Sequence, residues 1–85
     1  MQFYDVRGVL VRRCEPVRKG VVLEVWDGDV WLPYSDVSAA LRYGEALTES
    51  RAIALLHRAR KRLGTLPQLS DSEARIVLSA PQKLA

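Results

Sequence analysis

Residues 21–33, VVLEVWDGDVWLP, decide the fold. Two β-rich runs flank Asp27-Gly28-Asp29. Asp-Gly between such runs marks a hairpin, because a tight type I′ turn needs φ > 0 at both centre positions. If Asp27 and Gly28 form the turn, Trp26 faces Asp29 and Glu24 faces Trp31. If Gly28 and Asp29 form it, Trp26 faces Trp31. In either register Val21, Leu23 and Val25 share a face with Val30, Leu32 and Tyr34, while Val22, Glu24, Trp26 and Trp31 occupy the other. The first is a plain apolar core face. The second is aromatic with one acid, and the functional question is largely what covers it.

Upstream, residues 2–14, QFYDVRGVLVRRC, read as one strand bent at Gly8, with apolar residues on both faces near its middle. Residues 15–19, EPVRK, hold a proline among charges and read as a loop that Gly20 closes. Downstream, Pro33-Tyr34-Ser35 ends the second hairpin strand. Ser35 or Asp36 can cap a short helix over about 36–43, with Val37, Ala40 and Leu41 as its buried stripe and Gly44 at the C′ position. Residues 45–47 read as a connector. Thr48 caps a longer helix, about 49–63. Its residues Ala52, Leu55, Leu56, Ala59 and Leu63 fall in one arc, while Arg51, His57, Arg58, Arg60, Lys61 and Arg62 fill the rest. Ile53 falls beside Arg60, outside the apolar arc, and marks a second contact. Gly64 ends this helix. After the linker TLPQL, Ser70-Asp71-Ser72-Glu73 is a capping box that predicts a third helix over about 71–79.

Strands first and helices after give an α+β domain: a three-stranded antiparallel sheet, open or closing into a partial small barrel, with helices on one face. The 85 residues, 48% hydrophobic, make one domain with a β-rich half 1–34, a helical half 35–80 and a frayed tail 81–85. No apolar run reaches the roughly 20 residues of a membrane span, and MQFYDVRG reads as a strand rather than a secretion signal. A single cysteine, Cys14, fits a reducing cytoplasm. Cys14 and His57 are the only soft metal ligands, so neither a metal site nor a cofactor is expected.

No catalytic constellation is present, and the expectation is a protein that is not an enzyme. The chain has no phosphate-binding glycine motif. Glu24, Asp27 and Asp29 read as turn formers and an edge charge rather than as paired catalytic acids. The binding signal is basic. The net charge is +3 and no acid interrupts residues 51–62. Arg51, Arg58, Lys61 and Arg62, assisted by Arg12 and Arg13, are candidate phosphate contacts, since arginine suits forked phosphate binding. A plain solvated helix face is the competing reading. Arg18 and Lys19 add to the second basic cluster. Trp26 and Trp31 suit packing against the module's own helices or a partner better than stacking on bases, because three acids surround them. A helix-turn-helix reading is weakened because no recognition helix follows residues 71–79.

The run Gly28-Asp29-Val30, Leu32-Pro33, Ala40-Leu41 and Gly44-Glu45-Ala46 resembles the small B domain of GINS-type replication-complex subunits, over about residues 6–47. The spacing from G-D-V to L-P is one residue shorter than in that pattern, and most of the family's helical A domain has no counterpart here. The V-W-L-P-x-S stretch after the Asp-Gly turn also resembles short phage and plasmid β-barrel modules, over residues 17–37. Neither resemblance transfers individual residues. The expected function is an accessory, nucleic-acid-binding protein of DNA transactions such as replication. The alternative is a protein-interaction module, a homodimer or an assembly subunit, using the Trp26/Trp31 face.

Overall fold

The computed structural model describes residues 1–18 and 21–81, and the side chains of all of these except 14–18 and 21. Lys19, the Cys14 and Arg18 side chains, and residues 82–85 of the expected tail lie outside the described residues. The chain runs β1 (Gln2–Val6), β2 (Val9–Arg18), β3 (Val21–Trp26), β4 (Trp31–Pro33), α1 (Val37–Tyr43), β5 (Gly44–Ala46), α2 (Glu49–Leu63) and α3 (Asp71–Ser79). The strands form one open antiparallel sheet in the order β4-β3-β2-β1-β5.

The sheet has five strands where three were expected, and each addition has a local cause. Residues 2–14 are a hairpin, not one bent strand: Val6 pairs with Val9 across Arg7-Gly8. Both turn residues have positive φ, 54° at Arg7 and 85° at Gly8, the requirement of a type I′ turn. At Asp27-Gly28 only the glycine has positive φ, at 108°. The loop there spans residues 27–30, because Asp27 Oδ1 accepts from the amides of Asp29 and Val30 at 2.8 Å each. Trp26 therefore pairs with Trp31, the second of the two expected registers. The segment expected as a connector is β5, which pairs with β1 through Tyr4–Ala46 and Val6–Gly44. Gly44 accordingly has extended backbone rather than the left-handed conformation of a C′ glycine.

The expected loop at 15–19 is instead largely strand. β2 runs to Arg18, with its register shifting between Arg13 and Arg18. β1 pairs only with residues 9–13, so Pro16 sits beyond the end of one neighbour and inside a bulge toward the other. A residue with no N–H is tolerated there.

The pairing gives the sheet two unlike faces. Phe3, Leu10, Arg12, Glu24, Trp26 and Trp31 share one, and α2 and α3 cover it: Leu10 and both tryptophans pack with Ala52, Ile53, Leu56, Ala74 and Leu78. Val6, Val11 and Leu23 lie on the other, under Ala39 and Ala40 of α1. The helices thus lie on both faces, not on one. The expected stripe of α1 is not buried: Val37 is 43% and Leu41 83% exposed.

All three helix extents agree with the sequence, because their caps are encoded in it. Asp36 accepts from Ala39 N at 3.0 Å, Thr48 from Arg51 N at 3.3 Å and Ser70 from Glu73 N at 3.1 Å. Gly64 closes α2 at φ 70°. In the capping box the Ser70 amide, then the Ser70 hydroxyl, hold the Glu73 carboxyl below its ordinary pKa. A depressed carboxylate contributes stability above its unfolded pKa and loses it as pH falls through the folded value. Thermal melts taken from neutral pH downward should therefore show a shallower acid decline for Glu73→Gln than for the wild type. Parallel declines contradict the capping role.

The hairpin tip touches α2 so closely that a Cβ on Gly28 would meet Ala59 O at 2.8 Å and Leu63 Cδ1 at 2.9 Å. Gly28→Ala should lose more than about 1 kcal/mol, lowering the melting temperature by at least about 4 °C. A melting temperature within about 1 °C of wild type contradicts this contact.

Candidate nucleic-acid interface

The tryptophans pack against the chain's own helices, one of the two packings expected, and not at an interface. Trp26 and Trp31 are each 3% exposed, with ring centroids 5.3 Å apart. Their indole N–H groups end on helix carbonyls: Trp26 Nε1 donates to Leu56 O at 3.2 Å, and Trp31 Nε1 to Val77 O at 2.9 Å. A buried tryptophan needs such an acceptor. The face is therefore closed by the chain's own helices, and it offers neither a partner contact nor a base-stacking platform.

Arg12 is the second correction. It is 2% exposed, so its guanidinium is closed to a phosphate in solvent. Arg12 and Glu24 are direct cross-strand partners, and Nε (2.9 Å) and Nη2 (2.8 Å) both converge on Glu24 Oε1. Nη1 donates to Leu78 O at 2.8 Å, and the guanidinium lies 4.1 Å over the Trp31 ring. The last carbonyls of a helix lack intrahelical partners and carry the negative end of its dipole. α3 has no basic residue in its own last turn, and Arg12 of the sheet supplies that cation. Glu24, expected as an edge charge, is instead 5% exposed. Sequence pattern placed Arg12 in a basic run. The signal that it turns inward was Glu24, an acid on an otherwise apolar and aromatic face.

Arg60 behaves likewise. It is 9% exposed and lies on the buried side of α2 with Ala52, Ile53 and Leu56. Its Nε donates to Pro67 O at 2.7 Å and its Nη1 to Gly28 O at 3.3 Å, with Asp29 Oδ1 3.9 Å away. Arg60 thereby ties α2 to the hairpin tip and to the linker after Gly64, whereas Ile53, expected to mark a second contact, belongs to the same core cluster as Ala52 and Leu56. The apolar arc is turned toward Ile53 accordingly, and Leu63 is 44% exposed. His57 joins α2 to α3, with Nε2 3.0 Å from Asp71 Oδ1. Arg75 and Glu49 pair at 2.7 Å.

Arg51, Arg58, Lys61 and Arg62 remain, all exposed on α2 and all without an ion-pair partner among the described residues. At 3.6 residues per turn, Arg51, Arg58 and Arg62 fall within a sector of about 40°, opposite the buried stripe, and span roughly 16 Å of helix. Lys61 flanks them. Arg13 is exposed but projects from the sheet face under α1, since it pairs with Leu23 and Gln2. The structure thus aligns three of the expected arginines with Lys61, sends Arg13 to the opposite side of the sheet and buries Arg12.

No group of three or more potential metal ligands occurs among the described residues. Comparisons with family models, with curated proteins and with solved structures gave no match.

Removing one member of a buried ion pair costs about 3–5 kcal/mol, because the survivor stays buried without its partner. A domain of this length has roughly 4–13 kcal/mol of stability in all. Glu24→Gln should therefore lower the urea midpoint steeply, and the paired Arg12→Met/Glu24→Leu change should recover much of the loss. A single-variant loss below about 1 kcal/mol contradicts the assignment.

Proposed function

We propose that this protein is a non-enzymatic nucleic-acid-binding module that docks the exposed basic side of α2 on phosphates. The observation that carries the reading is the division of labour among its cations. Arg12, Arg60 and Arg75 are spent on internal partners, whereas Arg51, Arg58, Lys61 and Arg62 share one helix and have none among the described residues. A straight row of arginines at this spacing neutralises successive phosphates and offers forked donors to each. With both indoles buried, base stacking contributes nothing from that side, so binding is electrostatic with little sequence readout. The likeness of residues 6–47 to GINS-type subunits supports a setting in DNA transactions.

The test is fluorescence anisotropy with labelled duplex and single-stranded oligonucleotides. With four contacts, raising salt from about 50 to about 200 mM should weaken binding roughly 100-fold. Arg58→Glu/Arg62→Glu should weaken it at least tenfold at low salt and flatten the salt slope. Absence of binding at low salt, binding indifferent to salt, or an unaltered affinity in the double variant removes the proposal.

A further inference from the structure

We propose that the groove between α1 and the outer face of the sheet docks an acidic segment of a partner protein, anchored by apolar side chains. α2 and α3 each bury residues, but α1 buries none. Its Val37 and Leu41 stand 43% and 83% exposed. The groove beside it, about 430 Å³, is lined by Tyr4, Leu23, Val37, Ala40 and Leu41, with Arg13 among them. Exposed apolar surface rimmed by polar groups is the usual character of a protein-binding site.

The rim chooses the partner's charge. On the other flank of α1, Arg7 lies 3.6 Å over the Tyr43 ring, and Arg42 lies 6.0 Å from the same ring. A guanidinium held over an aromatic ring, as that of Arg7 is, still has N–H donors for a carboxylate. Neither arginine has an ion-pair partner among the described residues. Asp36 also lines that flank, but its Oδ1 is engaged by the Ala39 amide. α1 thus stands with Arg13 in the groove on one side and Arg7 and Arg42 on its other flank, so a segment lying across Val37 and Leu41 meets cations on both sides, the complement of carboxylates flanking apolar anchors. A second copy fits poorly. A twofold contact would set this patch against its own copy, one net-positive surface against another. A bilayer fits poorly as well, because the apolar floor is recessed between a helix and a sheet rather than presented as a flat surface.

The experiment is selection from a displayed library of random peptides against the 85-residue chain, followed by affinity measurement on the enriched peptides. Enriched peptides should carry Asp or Glu flanking Leu, Ile, Val or Phe. Leu41→Ser should weaken them at least tenfold, as should Arg7→Ala/Arg42→Ala, with circular dichroism unchanged. Arg58→Glu/Arg62→Glu should leave their affinity unchanged, so failure here and failure of the phosphate-binding reading are separable. No enrichment, enrichment of peptides without acids, or wild-type affinity in both groove variants overturns the proposal. So does a dimer in sedimentation that Leu41→Ser dissolves, or binding to anionic vesicles that the same variant abolishes.

Discussion

The Arg12 guanidinium is the fastening on which the rest of the structure depends. It touches a strand neighbour, an aromatic ring and a helix terminus at once: Glu24, Trp31 and the Leu78 carbonyl. Taking an arginine out of water is costly unless its donors are matched, and here the matching groups come from three separate elements. Only one placement of α3 puts Leu78 O on Nη1 and Val77 O on the Trp31 indole. The interaction therefore contributes specificity of docking, whatever its net contribution to stability. In a small domain with limited apolar area, such a directional contact selects one packing among several that hydrophobic burial alone would accept.

The sheet is divided as a result. One face is covered by α2 and α3 and pinned by side-chain donors that end on helix backbone. The other carries a seven-residue helix that buries no residue of its own. Cations follow the same division. Those facing the covered side are consumed by carbonyls and carboxylates, while those on the outside of α2 and around α1 stay available. These exposed cations thus lie on the two outer surfaces, a basic one on α2 and a mixed apolar and basic one at α1, with the sheet between them.

Much of the fold was legible in the sequence. The three helices follow from short-range signals, since Asp36, Thr48, Ser70 and Gly64 act on residues within one turn. The alternation in β3 and β4 gave the correct faces for the same reason. Strand number was not legible. Arg7-Gly8 lacks the usual Asn or Asp at the first turn position, and Gly44–Ala46 is too short to carry a β pattern before its pairing with β1 is known. The fate of the arginines was not legible either. Arg12 and Arg60 resemble their solvated neighbours until the third dimension brings Glu24, Leu78, Pro67 and Gly28 to them. Periodicity places a long cation on a face, but it does not say whether that face meets carbonyls or water.

The most direct test of this account is hydrogen–deuterium exchange of the two indole N–H protons, followed by NMR near neutral pH. With Trp26 and Trp31 bonded to Leu56 and Val77 under closed helices, both protons should exchange only through global unfolding, at rates that track the urea-measured stability. Exchange of either indole within the dead time, in a protein otherwise folded by circular dichroism, would contradict the closed tryptophan face and with it the role given to Arg12.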